Sequence, residues 1–547
     1  MSKKDEKKKI IIKKYSKGTI NYQNGTYKGE ISNEMREGEG EMIYKDGDKY
    51  KGSWHNDKMD GKGIFTYKSK NQYNGDFKNG KKEGTGQFIW SNGDTYTGEW
   101  KNDLRNGNGK MIYKNGDKYE GNWKNDKRDG IGLMTYKDGS KYNGNFVNGM
   151  KEGKGTFIFT NGDEYDGNWS KDKINGDGTL KFKEGSVYKG NFVNGIREGK
   201  GELKFVSGNI YKGDFKNNKP NGNGTFSNKD GDEYKGQLNN GKIEGKGIMN
   251  YKNGDSYDGD FKNGLKDGKG LFIYKDGNIY EGDFKNDKAE GNGKMTFQNG
   301  NEYNGEWKNN EKEGKGVFTF KDGDVYDGNW KNGKSEGKGI YKFKNGNIYE
   351  GNWKNDKIDG KGKFTFKNKD IYEGDFKDGI KEGNGKFIFA SGDVYEGQFK
   401  NNKIEGKGKY IWKNGDTYEG NFKNEERDGQ GKMIYKNKNI YEGNWKNGKK
   451  DGKGVFSFNN GDKYDGNWVD NNMEGKGKYF WKNGDSYDGD WKKDVRNGKG
   501  VFTWKDGDIY DGDWKNGVKE GNCVYFNKKT GKKSNEVWKD NKFVNEN

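Results

Sequence analysis

The sequence predicts an all-β protein, an elongated single-layer twisted array of tandem β-hairpins. Three observations carry this prediction. One pattern recurs every 23 residues from Tyr27 to Tyr510, giving 22 copies with no insertion or deletion. Inside each copy two short runs alternate apolar with polar residues, the period of a strand with one apolar face. The 95 glycines and single proline hold fixed places, with Asn-Gly or Asp-Gly at most of the turns between copies, a strong hairpin signal.

With the tyrosine as position 0, positions 2 and 11 are Gly in all 22 copies, and position 13 is Gly from Gly40 to Gly500 and then Cys523. Position 4 is Trp or Phe in 20 copies, the exceptions being Ile31 and Leu238. Position 15 is apolar throughout, and position 17 is aromatic except at Asn228 and Asn527. Positions 0 to 4 therefore form one strand and positions 11 to 17 the next, joined by a turn such as "KNGK" or "KNDK". A second turn, as at Asn92-Gly93 or Asp138-Gly139, leads to the following copy; Lys70, Lys369 and Lys438 replace its glycine. Residues 1–17 read as a basic disordered tail, 18–26 as a capping strand, 27–532 as the array and 533–547 as a C-terminal cap or tail. This division leaves no stretch for a separate catalytic domain, and no catalytic residue, cofactor or metal site is expected.

Charge fixes the strand register. If paired positions within a copy sum to 15, position 1 faces position 14. Lys28 then meets Glu41 and Lys189 meets Glu202, and farther on Glu281, Glu350, Glu373, Glu396, Glu419 and Asp465 meet Lys294, Lys363, Lys386, Lys409, Lys432 and Lys478. Sliding by two positions would oppose Lys51 to Lys62 and Asp166 to Asp177, and like charges across strands are unfavourable. This register puts the position-4 ring opposite Gly at position 11 of its own copy. Across the second turn it faces Gly at position 13 of the copy before, so that the ring lies flat over bare backbone. On that reading no ring follows Cys523, which marks relaxed spacing rather than a reactive thiol.

Tyr-x-Gly-x-Trp/Phe followed by Gly-x-Gly at this period resembles the MORN (membrane occupation and recognition nexus) repeat, over more than nine tenths of the chain. The resemblance implies a twisted all-β hairpin array with an aromatic-lined groove. It implies roles as protein-binding and cytoskeletal scaffolds, in ciliary radial spokes or at the cell cortex, or as tethers at membrane junctions. It implies no single function.

Hydrophobic residues make up 27% of the chain, too few for a large globular core, while 82 aromatics in register argue against disorder. With no long apolar run and no signal-peptide pattern, a cytoplasmic, cytoskeleton-associated protein is expected, in a cilium or axoneme among other sites. One Cys and one His, His55, cannot form a disulfide or a zinc site, and the "DGD" triplets lack calcium-loop spacing. Lysine and aromatic residues interleave, but acids nearly balance the lysines and no nucleic-acid motif is present, so nucleic acid is not an expected partner.

The candidate binding residues fall in two sets. Rings at positions 0 and 4 are expected to line an open groove, with Tyr303, Trp307, Tyr326, Trp330, Tyr349 and Trp353 as partner-binding candidates for a protein segment. In the tail, Lys3, Lys4, Lys7, Lys8, Lys9, Lys13 and Lys14 are candidates for weak binding to anionic lipid or to an acidic protein surface, set against a purely solvated tail. All six arginines occupy position 9, either covering a neighbour's backbone or forming a contact row. Free strand edges at the ends of the array allow end-to-end self-association. The reading as a whole is a non-enzymatic scaffold or spacer rod, with a phosphoinositide-binding membrane–cytoskeleton tether as the alternative.

Two strands per copy at a spacing of ~4.8 Å predict an array roughly 200 Å long before twist. Small-angle scattering should give a radius of gyration far above the ~25 Å of a globular chain of this length; a value near that figure would exclude the architecture.

Overall fold

The computed structural model describes residues 15–546. The chain divides into two compact units, Met1–Lys275 and Asp276–Asn547. Among the described residues the first holds 23 strands, from Ser16–Tyr22 to Leu265–Ile273, and the second 24, from Ile279–Lys285 to Lys542–Glu546, with no helix in either. Within each unit the strands follow one another as antiparallel neighbours.

The copy starting at Tyr50 shows how a hairpin is built. Its strands are Lys49–His55 and Lys58–Thr66. The turn between them is Asn56-Asp57, both at positive φ (48° and 61°), the two-residue geometry that suits the twist of the flanking strands. Tyr50 pairs with Phe65, Lys51 with Ile64 and Gly52 with Gly63, which is the expected sum of 15. The eight opposite-charge pairs named above are all direct cross-strand partners.

Beyond position 2 the register departs from expectation. A β-bulge between Gly52 and Trp54 shifts the pairing, so Trp54 faces Met59 at position 9 of its own copy. Across the second turn it faces Gly38, position 11 of the copy before, while Gly40 at position 13 pairs with Gly52. Both partners assigned to the position-4 ring were therefore wrong. The extra residue in the bulge causes the first, by re-aiming the strand after position 2; between copies the ladder runs without a shift, its paired positions also summing to 15, two away from the alignment assumed.

The ring that covers glycine is the tyrosine. A Cβ placed at Gly63 would fall into the ring of Tyr50, and one at Gly52 would meet both the Cα of Gly63 and the Tyr50 hydroxyl. The hydroxyl donates to the carbonyl of Ser53 inside the bulge at 2.9 Å. The same bond recurs from Tyr27 to Glu30 (2.8 Å) and from Tyr510 to Asp513 (2.8 Å). The position-11 glycine has a different task. Gly61 adopts φ +109° and Gly38 φ +62°, in the left-handed region that an L side chain seldom enters. Lys70, Lys369 and Lys438 also take positive φ (68°, 75° and 71°) in place of the second-turn glycine.

Most of the tyrosines meet two position-4 rings edge to face. Tyr303 lies 5.2 Å from Trp307 of its own copy and 5.2 Å from Trp330 of the next, with interplanar angles of 82° and 79°. Such pairs add about 0.5–1.5 kcal/mol beyond area burial. In the first unit this chain of rings breaks at Leu238, which is buried but not aromatic. Pro220, one copy earlier, stays within a strand and pairs with Phe215. Asn228 replaces a ring with a local turn, its side-chain oxygen accepting from the backbone of Gly231 and Asp232 at 2.8 Å each.

The second unit carries one further hairpin, Lys532–Lys539 and Lys542–Glu546. Trp538 stands opposite Gly521 and packs edge to face on Tyr510 at 5.9 Å. A ring therefore does follow Cys523, contrary to expectation. Because Trp538 lies one residue farther on than the period requires, its indole Nε1 donates to the Glu536 carboxylate (2.8 Å) rather than to a position-13 carbonyl. Cys523 pairs with Glu536 and is buried. Burial pushes its thiol up to about 11, which keeps it unreactive at neutral pH.

Two outcomes follow for local stability. Gly339→Ala would put a Cβ 2.6 Å from the Tyr326 ring, and overpacking of this kind costs about 1–3 kcal/mol. Amide exchange should quicken in the copies around residue 339 and stay unchanged several copies away; a global loss of protection would refute local coupling. In the wild type, exchange should be faster around Pro220, Asn228 and Leu238 than in neighbouring copies, and uniform protection across residues 190–260 would overturn this.

Candidate functional site

The two faces of the hairpins differ in what they leave open. On the apolar face the six rings proposed to line a groove are interior. Tyr303 and Tyr349 are fully buried, and Tyr326, Trp307, Trp330 and Trp353 are at most 9% exposed. Trp330 shows what closes over them. Its Nε1 donates to the Gly316 carbonyl at 3.0 Å, Phe318 lies 6.0 Å away, and the Nζ of Lys312 sits 3.8 Å from the ring centroid. As a surface offered to a partner these rings are not accessible, because the face is closed by side chains of its own sheet. The lysines proposed as a basic site, Lys3 to Lys14, lie outside the described residues.

Position 9 supplies the lid. The Arg496 guanidinium stacks 4.0 Å from the Trp514 ring centre, and its Nη2 donates to the Gly517 carbonyl at 2.8 Å. Arg36, Arg105 and Arg427 repeat the stacking at 4.2, 4.3 and 4.2 Å on Trp54, Trp123 and Trp445. The arginines thus cover the rings and backbone of the next copy. Lysine does the same at Lys312 and Lys450, where burial pulls the ammonium down to about 8 while three ring faces surround it.

The opposite face, with positions 1, 3, 12 and 14, stays open. In the second unit it forms a groove of about 1240 Å³ from Lys315 to Gly397, and in the first a groove of about 1300 Å³ from Lys154 to Asp258. In both the floor is the backbone of the position-2 and position-13 glycines, such as Gly351 and Gly362, and the walls are charged and polar side chains, such as Lys361 and Glu373. Expectation missed this face as a site. The signal was available: glycine pairs whose rings lie on one side present bare backbone on the other.

Charge on the open face alternates. Ion pairs join position 14 to position 1 of the following copy, as in Lys363–Glu373 (3.1 Å), Lys432–Glu442 (3.2 Å) and Lys110–Glu120 (3.4 Å). A second row joins positions 12 and 3 across the same turn, as in Lys361–Asp375 and Lys476–Asp490, both 2.8 Å. Exposed pairs of this kind contribute ~0–1 kcal/mol each, so they shape recognition more than stability. His55 binds Glu37 through Nδ1 at 2.8 Å, and among the described residues no three of His, Cys, Asp and Glu converge to hold a metal ion.

The MORN repeat profile matches 22 consecutive segments, from residues 27–49 to 510–529. No curated protein matches the chain. Solved structures similar to it include the TCP10 domain of Danio rerio CPAP in complex with a peptide of Danio rerio STIL (14% identity, TM-score 0.17, 46% of this chain and 91% of that one). Others are the SAS-4 TCP domain of Drosophila melanogaster in complex with a Proline Rich Motif of Ana2 (18%, 0.17, 37% and 90%) and virginiamycin B lyase from Staphylococcus aureus (13%, 0.10, 57% and 92%). At these TM-scores the likenesses carry no argument about function. The repeat profile, in contrast, accounts for both units copy by copy, and the chain belongs to the MORN repeat family.

Proposed function

We propose that the chain is a non-enzymatic protein-binding scaffold attached to cytoskeletal structure, in a cilium or at the cell cortex, and that partners lie along the open polar face. The observation that carries this reading is the glycine-floored groove found in both units. Bare backbone lets a partner approach closely, and flanking side chains differ from copy to copy, so successive stretches can select different segments. The repeat family itself is a non-catalytic one. A tether to an anionic membrane is favoured less, because signs alternate along the open face and no single-sign face results.

Blocking the groove tests the reading. Lys361→Trp with Asn384→Trp places bulk on two exposed positions of its wall without touching the rings. Proximity labelling with the full chain should recover cytoskeletal or ciliary proteins, and the double variant should lose at least one of them with its circular dichroism unchanged. Recovery of the same proteins by both forms would refute the groove. Co-sedimentation of the wild type with anionic vesicles at physiological salt, lost on removal of residues 1–14, would favour the tether.

A further inference from the structure

We propose that nine consecutive strands of the second unit, from Ile348–Lys354 to Ile440–Lys446, form a docking surface for one amphipathic α-helix of another protein. The inference rests on the reading of the polar face as the partner face.

Two rows run side by side across these strands. The first consists of position 16 and the residue just before each tyrosine. From Ile348 to Ile440 it is Ile or Val throughout except at Thr365 and Thr417, each member pairing directly with the next. Three of these side chains are open to solvent, Ile348, Ile411 and Ile434 at 40%, 39% and 41% exposed, and Ile371, Ile388, Val394 and Ile440 between them are half-buried. The second row consists of positions 1 and 14. From Glu350 to Glu442 it alternates Glu and Lys without a break over the same strands. Both rows stop together, at Lys342 and Ile340 on one side and at Ser457 and Val455 on the other. Elsewhere the charge alternation lasts three strands at most. The fold does not demand either row, since other copies place Thr, Lys, Asn or Leu at these positions.

The dimensions select the occupant. The aliphatic row is one side chain wide, whereas two packed sheets interdigitate over several rows. One-residue width matches the narrow a/d seam of a helix. Strands repeat every ~4.8 Å, and a/d residues advance ~5.2 Å along a helix. Charge of one sign recurs every ~9.6 Å on the sheet, against ~10.5 Å for one heptad, so positions e and b along one helix flank can meet Glu and Lys in turn. The two rows lie ~7 Å apart along the strands, within the ~10 Å width of a helix. Eight strand intervals span ~38 Å, the length of about 26 helical residues. Among the described residues no helix is present to be the occupant.

The test uses a synthetic four-heptad peptide with Ile at a, Leu at d, Lys at e and Glu at b, titrated against the full chain by fluorescence anisotropy. It should bind, and Ile388→Thr/Ile411→Thr/Ile434→Thr should weaken it by about tenfold or more. Threonine already occupies this row at Thr365 and Thr417, so the triple variant should fold; equal substitutions at Ile43, Ile89 and Ile112 in the first unit should change nothing. A peptide with Lys at both e and b should bind about tenfold more weakly. One with the two signs exchanged should bind equally, because a slide of one strand restores the match. Unchanged binding by the triple variant, or equal binding of the uniform peptide, overturns the inference. So does a triple variant whose only change is a smaller sedimentation coefficient, which would make a second copy the occupant. If the groove-blocking variant loses partners while the triple variant still binds peptide normally, the helix inference falls and the scaffold reading stands.

Discussion

One contact recurs from Tyr27 to Tyr487: a tyrosine ring laid over two cross-strand glycines, with its hydroxyl bonded to the carbonyl of a bulge three residues on. Glycine suits positions 2 and 13 because a Cβ at position 13 would enter the ring, and one at position 2 would meet the partner glycine's Cα and the tyrosine hydroxyl. The bulge is held because the hydroxyl satisfies a carbonyl that the broken ladder frees. Phenylalanine would fill the same space and leave that carbonyl without its donor. Beyond the bulge the position-4 ring meets the tyrosine of its own copy and that of the copy before, as Trp307 meets Tyr303 and Trp330 meets Tyr303, which makes the edge-to-face chain that links copy to copy.

This arrangement explains how a chain with 27% hydrophobic residues forms a stable sheet without a second layer. Each copy buries its rings against the copies on either side, and where position 9 is Arg or Lys that side chain closes the top. Arginine suits that task because its flat guanidinium stacks on the ring while donating to backbone beyond it. Lysine there is left with ring faces and little water, which is why its ammonium is depressed. The apolar face is thereby consumed in holding the array together, and the polar face is the one left open.

The period, the strand pairs and the register up to position 2 were legible in the sequence, because opposite charges at Lys28 and Glu41, or Glu373 and Lys386, mark direct partners on an exposed face. The bulge was not legible from charge, since beyond it positions 5 and 8 set lysine against lysine, as at Lys78 and Lys81 or Lys446 and Lys449, and give no complementary pair to read. Its trace was the choice of Tyr in all 22 copies where Phe would serve for packing alone. Taking the position-4 ring as the one over glycine followed from extending a regular ladder past an irregular residue. That in turn opened a groove on the wrong face, at Trp330 and Trp353. Trp538 escaped notice because a one-residue lengthening, with Ser534 and Glu536 where the other copies have tyrosine and glycine, removes the pattern by which they are recognised.

Positions 0, 2, 4, 11 and 13 are fixed by this packing, so they cannot distinguish one stretch of the array from another. What varies freely is the outer face, where the hairpin tolerates Thr, Lys, Asn, Glu or Ile with the same backbone. Randomly filled, such positions would interrupt any row within a few strands, as they do through most of the chain. Between Ile348 and Glu442 one row alternates in sign without a break and the row beside it is Ile or Val save at Thr365 and Thr417, and both end at the same two borders. Cross-strand pairing alone accounts for opposite charges as neighbours, but it gives no reason for an exposed aliphatic row beside them, whose contact with water is unfavourable. An ordered feature that the fold neither requires nor benefits from is best understood through a second surface that covers it.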